Sequence, residues 1–218
     1  MKTKDHFFKA VCTLAIPVAL QSMLQSSFSM VDQIMIGQLG EINVAGVGLA
    51  GKFASIYSVV ISAIGAVAGI MIAQYLGQKN RSEVRRSFFT NLLLGAGIAG
   101  MFMVICTLFP NQIMGAYTRD VQTRQAAAEY LMLISGTFVP MAGATLLSTL
   151  FRCLEKPRLP LYASILSALL NTSLNYIMIF GKLGISPMGV RGAAFATVIS
   201  QCANFLLMLL CFPKTVSF

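Results

Sequence analysis

Apolar runs long enough to cross a membrane recur along the whole chain, and they limit its possible folds more than any other feature. A helix that spans the hydrocarbon core of a bilayer needs about 20 mostly apolar residues. Six such runs fit within the 218 residues, separated by short polar or basic segments. The predicted spans cover 8–36, 43–76, 87–109, 126–151, 161–180 and 193–212. We therefore predict an all-α, polytopic membrane protein with six transmembrane helices.

The composition agrees with this prediction. Hydrophobic residues make up 56% of the chain and charged residues only 11%, whereas a soluble domain carries about 25% charged residues. No cleavage-site pattern interrupts the first run, so we interpret it as a spanning helix and not as a removed signal. The five cysteines form no CxxC pair and lie in or beside apolar runs. We expect them to serve as small hydrophobic residues and not as disulfides or metal ligands.

The positions of the basic residues predict the orientation in the membrane. With the N-terminus inside, eleven Lys and Arg residues fall on the inner side and five on the outer side or its flanks. Cytoplasmic loops carry such an excess of positive charge, so we predict a multi-pass protein of the cytoplasmic membrane with both termini inside. This topology accounts for the net charge of +9 without a nucleic-acid partner. The outer residues are Lys52, Arg119, Arg124, Lys182 and Arg191.

Polar side chains follow one face of the first, fifth and sixth predicted helices. Within each stripe the residues recur at offsets of three or four, which places them on the same side of a helix. Because the remaining faces are apolar, we expect the three polar stripes to border a common cavity. The stripes comprise Gln21, Gln25, Ser29 and Asp32 in the first helix, Ser164, Ser167, Asn171 and Asn175 in the fifth, and Thr197, Gln201 and Asn204 in the sixth.

Asp32 is the one acidic residue deep within a predicted span. An ionised Asp at the bilayer centre costs about 2.5–3.5 kcal/mol on insertion scales, so it is retained where it pairs, binds a cation or faces water. Asp32 and Asn175 each precede a similar apolar and glycine-containing tail, which puts both at a similar depth. We predict a site for a proton or a monovalent cation there. The alternative is a structural ion pair with Lys52, and Glu129 is the nearest other acid.

Small residues and prolines lie within the spans. Gly65 and Gly69 form a GxxxG pair, which we interpret as a close helix-packing surface. Pro17 and Pro140 lie inside predicted helices. Since proline removes a backbone hydrogen bond, we expect each helix to bend there. The bend is either a hinge or an ordinary kink of a membrane helix.

Three stretches, taken together and in this order, resemble the multidrug and toxic compound extrusion (MATE) family. They are "IPVALQSMLQSSFSMVDQIMIGQLG", "LFRCLEKPRLPLYASILSALLNTSLNYIMIFGKLG" and "MGVRGAAFATVISQ". The resemblance covers residues 1–218 and corresponds to the N-terminal six-helix lobe of a twelve-helix transporter. It implies efflux of small amphipathic or cationic drugs in exchange for Na⁺ or H⁺, with no other cofactor. It also implies a second six-helix lobe, so we expect a fragment, a truncated gene, or a half that pairs with another chain.

The resemblance also implies a set of site residues. Asp32, Asn171 and Thr197 match the family's cation site, and Asn175 stands where many members have Asp. One carboxylate fewer leaves the choice between Na⁺ and H⁺ open. Leu154 departs from a Gly that is common after the Arg of the fourth helix. The residues expected to line the substrate cavity are Gln25, Phe28, Ser29 and Gln201.

Three other functions are weighed against this one. Half of a lipid-linked oligosaccharide flippase needs basic residues for pyrophosphate, and the spans offer only Lys52. A non-transporting six-helix partner protein would associate tightly with another membrane chain, and substitutions at Asp32 would not affect its function. An intramembrane enzyme is disfavoured because the sequence has no GxSG motif and its single histidine, His6, precedes the first span. We therefore predict a transporter and no catalytic residues.

Overall fold

The computed structural model describes residues 2–182, 184 and 186–215, with side chains between residues 15 and 213 of these ranges. All regular secondary structure in this part of the chain is helical. Seven of the eight α-helices exceed ten residues, and a 3-10 turn, Ser135–Thr137, joins the fifth to the sixth. The α-helices are α1 Lys2–Gly37, α2 Glu41–Gly77, α3 Arg81–Leu108, α4 Pro110–Gly115, α5 Val121–Ile134, α6 Phe138–Cys153, α7 Arg158–Phe180 and α8 Gly189–Thr215.

Five helical stretches among the described residues are long and apolar enough to cross a membrane. They correspond to the second to sixth predicted spans, and they confirm the polytopic α-helical class. α1 covers the first predicted span, although its early side chains, including those of His6 and Cys12, lie outside the described residues. The five stretches are Glu41–Gly77, Arg81–Leu108, Val121–Cys153, Arg158–Phe180 and Gly189–Pro213.

The helix of each predicted span begins two to six residues before that span, and two of these helices have a side-chain cap. α3 starts at Arg81, where the Asn80 side chain accepts a hydrogen bond from the Glu83 N–H at 3.3 Å. α5 starts at Val121, where the Asp120 carboxylate accepts from the Thr123 N–H at 2.8 Å. Such caps satisfy the free N–H groups of a first turn. Because caps and first turns are polar, the apolar pattern alone places these boundaries too late.

The path from α5 to α6 forms the centre of the bundle. Its apolar window is 61% buried, compared with 22–33% in the other four spans. The 3-10 turn lies just before Pro140, which has no N–H to donate to the Gly136 carbonyl. Tyr57 of α2 packs against this turn, since its hydroxyl donates to the Phe138 carbonyl at 2.6 Å and its ring stacks on Phe138. The expected irregularity near Pro140 is thus present, whereas α1 continues as a helix through Pro17.

The GxxxG pair of α2 packs against α6. A Cβ atom at Gly65 would lie 3.2 Å from Thr145 Cγ2, and one at Gly69 would lie 3.0 Å from Thr149 Cγ2. These distances are tighter than ordinary side-chain contacts, so the two glycines allow α2 and α6 to approach closely. The structural role predicted for the pair is confirmed.

α7 and α8 form a tight hairpin that fixes the relative depth of their polar stripes. α7 ends at Gly181, whose φ of +68° lies in the left-handed region that glycine adopts without strain. Gly192 of α8 lies against the backbone of α7, where a Cβ atom would come within 2.7 Å of the Met178 carbonyl oxygen. This close approach brings the two stripes side by side at one level of the bundle.

Candidate cation site in the central cavity

The three polar stripes meet around one cavity, which we call the central cavity. Its volume is about 240 Å³. All stripe residues line it except Gln21 and Asn175, and so do the four residues expected to contact substrate, Gln25, Phe28, Ser29 and Gln201. The remaining lining residues are Asp32, Ser164, Ser167, Ala168, Asn171, Thr197, Ser200 and Asn204.

Two hydrogen-bonded layers join α1 to α7. We name them the inner and outer layers after the orientation predicted from the sequence. In the inner layer, Gln21 Nε2 donates to Ser164 Oγ at 2.7 Å, and in the outer layer, Asn175 Nδ2 donates to Asp32 Oδ1 at 2.7 Å. The partners are 143 residues apart in both layers. A constant offset means that the two helices run in the same direction, and eleven residues of helix separate the layers by about 16 Å. Asp32 and Asn175 therefore lie at the same depth, as their similar tails predicted.

The Asp32 carboxylate sits among amides. Asn171 Oδ1, as placed, lies 2.9 Å from Asp32 Oδ2 and 3.0 Å from Oδ1, so acceptors face each other. A half-turn of the amide turns Nδ2 towards the carboxylate and lets Oδ1 accept from Ser200 Oγ at 3.2 Å, but it removes the 3.2 Å bond from Asn175 Nδ2 to Asn171 Oδ1. A proton on Asp32 removes the same conflict by donating to Asn171 Oδ1, and it keeps the bond from Asn175.

α8 supports the site from the other side. Asn171 Nδ2 donates to Ser200 Oγ at 3.2 Å, and the Ser167 hydroxyl donates to the Ser200 carbonyl at 2.7 Å. Thr197 Oγ1 donates to the Ala193 carbonyl of its own helix at 2.9 Å and lies 3.4 Å from Asn171 Nδ2. The hydroxyl of Thr197 therefore presents its lone pairs to the neighbourhood of Asp32 while its proton is used within α8.

A second space, the side cavity, opens beside Asp32 towards α2 and α5, with a volume of about 630 Å³. Lys52 and Tyr130 line it together with Asp32 and Asn175. Lys52 and Asp32 form no ion pair, since the ion pairs in the described part of the chain join Arg86 to Glu83 and Arg191 to Glu129. The structure therefore disagrees with the alternative in which Lys52 neutralises Asp32.

Glu129, the nearest other acid, is paired with a basic residue. Its Oε1 accepts from Arg191 Nε, and both side chains are exposed, at 42% and 65% respectively. This surface ion pair leaves Asp32 as the acidic residue of both cavities.

The oxygen atoms near Asp32 suit a small cation of single charge. Asn175 Oδ1 is buried and has no hydrogen-bond partner, which is costly unless something positive occupies that position. Within the described ranges, no three His, Cys, Asp or Glu side chains come together. One carboxylate with amide and hydroxyl oxygens fits Na⁺ or a proton better than it fits a divalent ion. Whether Asp32, Asn171, Asn175 and Thr197 hold a cation stays a prediction.

Sequence reasoning missed two residues of these cavities, Ser200 and Tyr130, and the position of Arg152, which contacts Gln21. Ser200 lies between Thr197 and Asn204 at offsets of three and four, so the stripe pattern contained the signal. Tyr130 is 6% exposed and lines the side cavity, but a single Tyr in an apolar span gives no pattern. Arg152 was assigned to an inner loop, whereas the structure places it in the last turn of α6, where Nη2 donates to Gln21 Oε1 at 3.0 Å.

Comparison with known sequences shows the family of this chain. The model of the MatE family matches residues 17–177. The probable multidrug resistance protein NorM of Thermotoga maritima is 31% identical over 201 residues, which cover 88% of this chain and 42% of that protein. The probable multidrug resistance protein YoeA of Bacillus subtilis is 25% identical over 216 residues, covering 98% of this chain and 46% of that protein. The chain thus spans less than half the length of these relatives.

Solved structures show the same fold. A MOP superfamily transporter from Pyrococcus furiosus superposes with a TM-score of 0.87 at 21% identity, over 96% of this chain and 46% of that one. The outward-facing conformation of a multidrug resistance MATE family transporter gives 0.85 at 21% identity, over 93% of this chain and 44% of that one. With the sequence matches, these likenesses establish that the chain belongs to the MatE family, whose members are membrane transporters and not enzymes.

Proposed function

We propose that this chain forms the N-terminal lobe of a multidrug efflux transporter and contributes the site at which a coupling cation binds. In this proposal, residues 1–218 are one six-helix half, and a second six-helix lobe completes the transporter. Alternating access requires two bundles that move against each other around a site between them. The named relatives, NorM and YoeA, are probable multidrug resistance proteins and are more than twice as long as their matched regions.

The observation that carries the proposal is the setting of Asp32. The Asp32 carboxylate borders two cavities in a membrane-spanning lobe and has an amide of another helix as its partner, and no basic residue with a described side chain pairs with it. Such a group is expensive to place in a membrane and is a functional residue by default. A cation that binds Asp32 removes its negative charge, and its release restores that charge. The change in charge can couple cation entry to the release of a drug from the adjoining central cavity.

Two coupling ions fit this site, and they predict different behaviour. A proton on Asp32 satisfies Asn171 Oδ1 and leaves the other hydrogen bonds of the site intact. Na⁺ would instead draw on the oxygens of Asp32, Asn171 and Thr197 and on the unpartnered Asn175 Oδ1. Proton coupling predicts efflux that follows the pH gradient without Na⁺, and Na⁺ coupling predicts efflux that a Na⁺ gradient alone supports.

The placement in the cell is part of the proposal. The excess of basic residues on one side favours the cytoplasmic membrane with both termini of this lobe inside. Fusion of a fluorescent protein to the N-terminus and of a periplasmic alkaline phosphatase to the segment after α7 tests this orientation. We expect the N-terminal fusion to fluoresce and the phosphatase to be active.

The test of function is Asp32→Asn in the complete protein, expressed in bacteria that lack their own drug pumps. Asn keeps the size of Asp but has neither a negative charge nor a site for a proton. We expect ethidium efflux to fall to the level of cells with an empty vector, while the amount of protein in the membrane is unchanged.

The matched control is Asp120→Asn. Asp120 is exposed at the N-cap of α5, and Asn caps a helix about as well as Asp, so this variant loses a carboxylate without losing a structural role. We expect normal efflux from it. Full efflux by Asp32→Asn would overturn the proposal and would favour a non-transporting membrane partner protein.

A further inference from the structure

Arg152 occupies a cavity at the inner end of the lobe. This inner cavity has a volume of about 280 Å³ and is lined by Arg152 together with Gln21, Ser148, Thr149 and Ser164. Arg152 and Thr149 also line an adjoining groove between α2 and α6. An arginine at the end of a membrane helix commonly extends towards lipid headgroups. Arg152 is partly exposed, and its side chain extends towards α1, where it contacts Gln21.

The guanidinium group has no negative partner in the described part of the chain. Its one hydrogen bond to a side chain goes to the neutral Gln21 Oε1, at 3.0 Å. Neither described ion pair includes Arg152, and no Asp or Glu lines the inner cavity or the adjoining groove. Guanidinium has five N–H donors in a planar fork, so most of them remain free for an acceptor.

The surroundings of Arg152 hold it in place and add neutral donors. Gln21 donates to Ser164 Oγ at 2.7 Å while it accepts from Arg152, so α6, α1 and α7 form one hydrogen-bonded chain. Ser148 Oγ is buried, has no hydrogen-bond partner and belongs to a residue that lines the inner cavity. A positioned guanidinium next to an unpartnered hydroxyl is the donor set that binds a carboxylate.

We propose that the inner cavity binds the carboxylate of an amphipathic substrate through Arg152 and Ser148. This proposal rests on the proposed efflux function, and it extends the substrate class from cationic drugs to molecules with an anionic end. The inner and central cavities adjoin, since they share the lining residues Gln25, Ser164, Gln201 and Asn204. A substrate can place its carboxylate at Arg152 while its apolar body extends towards Phe28.

A small molecule fits this position better than a lipid headgroup. The cavity adjoins the central cavity and is lined by residues from within α1, α2, α6, α7 and α8. Its positive end lies about 16 Å along α1 from Asp32, so an anion there does not occupy the cation site. The two ends of the lobe thus bind opposite charges at separate positions.

The test compares two probes that differ only in charge. The natural full-length protein is placed in nanodiscs of zwitterionic phosphatidylcholine and titrated with dansylglycine, a carboxylate, and with dansylglycinamide, its neutral amide. We expect dansylglycine to bind more tightly. Arg152→Gln should weaken dansylglycine binding by about tenfold or more, because charged hydrogen bonds of this kind are strong, and should leave the Kd for dansylglycinamide unchanged. The unchanged amide binding also shows that the variant is folded.

The control is Arg158→Gln, which removes an exposed basic residue that lines neither the inner cavity nor the adjoining groove. It should bind both probes like the wild type, and Arg152→Lys should lie between wild type and Arg152→Gln. Equal affinity of the wild type for the two probes would overturn the proposal, and so would an equal loss in Arg158→Gln. The titration of the wild type is repeated in nanodiscs that contain anionic phosphatidylglycerol. If dansylglycine binding is lost only there, the site binds a lipid headgroup and the proposal is overturned. The titration measures binding and not transport, so its failure is distinguishable from a failure of the efflux test.

Discussion

The outer and inner layers of the α1–α7 interface share their geometry but carry opposite charges. Each layer is one short hydrogen bond between the same two helices, with the same offset along the chain. At the outer layer, α1 contributes the charge of Asp32, and α7 and α8 surround it with amides and hydroxyls. At the inner layer, the charge comes from Arg152 of α6. The pairing of α1 with α7 thus sets the depth of both layers. The neighbouring helices, α8 at the outer layer and α6 at the inner layer, determine which charge each end can bind.

The largest effect is expected from breaking the outer layer with Asn175→Leu. This change removes the 2.7 Å donor of Asp32 and leaves a half-buried charged group without its hydrogen bond, which costs about 1–3 kcal/mol. We expect efflux to fall by roughly tenfold or more, measured as ethidium loss from loaded cells at equal protein abundance. Efflux within about twofold of wild type would show that Asn175 does not hold the carboxylate in its working position.

Breaking the inner layer with Gln21→Leu is expected to affect stability more than coupling. The change removes the bond to Ser164 and the acceptor of Arg152, for a loss of about 2 kcal/mol. The measurement is thermal unfolding in detergent together with the dependence of efflux on pH and Na⁺. We expect a lower Tm with an unchanged ion dependence. A changed ion dependence would mean that the two layers are not separate.

A substitution away from both layers provides a reference for the stability that the layer variants lose. A Cβ atom at Gly46 of α2 would lie 3.0 Å from both Ala126 Cβ and the Ala127 backbone nitrogen, and a backbone atom cannot turn aside. We expect Gly46→Ala to cost about 1–3 kcal/mol through overpacking. Gly97→Ala, in α3 and with nothing within 4 Å of the added Cβ, is the control and should not lower the Tm. Equal Tm values for the two variants would contradict the packing of α2 on α5.

The smallest effect is expected at Asp120, a carboxylate outside the spanning segments. Hydrogen bonds from the side chain and backbone N–H of Thr123 hold the pKa of the Asp120 carboxyl below its usual value of 3.8. A lowered folded-state pKa means that the stabilisation is present above the unfolded-state value and is lost as the pH falls through the folded-state pKa. Asp120→Ala should therefore lower the Tm slightly at about pH 7, and the difference should shrink as the pH falls below the usual value of 3.8. A difference that does not change with pH would show that the carboxylate charge is not involved.

Helical periodicity accounts for the part of the site that the sequence predicted. Gln25, Ser29 and Asp32 recur at helical spacing, so any helix that includes them places them on one face. The matching depth of Asp32 and Asn175 followed from their distances to Gly37 and Gly181, and their hydrogen bond agrees with it. The polytopic class followed in the same way, because the length of an apolar run is a local property.

Contacts between distant segments were not predictable in this way. Arg152 directly follows an apolar run, so a hydropathy pattern predicts that it belongs to a loop. In the structure, α6 continues through Cys153. Tyr130 reaches the side cavity only because α5 packs against α2 and α8. The absence of an ion pair between Lys52 and Asp32 likewise depends on how α1 and α2 are placed.

The sequence alone determined which faces of which helices are polar, how deep Asp32 and Asn175 lie, and that the chain crosses a membrane. These properties depend on spacing along one helix and on the free energy of moving side chains from water into lipid. The tertiary structure decided which polar faces touch, that an amide and not Lys52 is the partner of Asp32, and that Arg152 contacts Gln21 of α1. Those outcomes depend on the packing of helices more than 100 residues apart, where small residues and caps, and not hydropathy, set the distances.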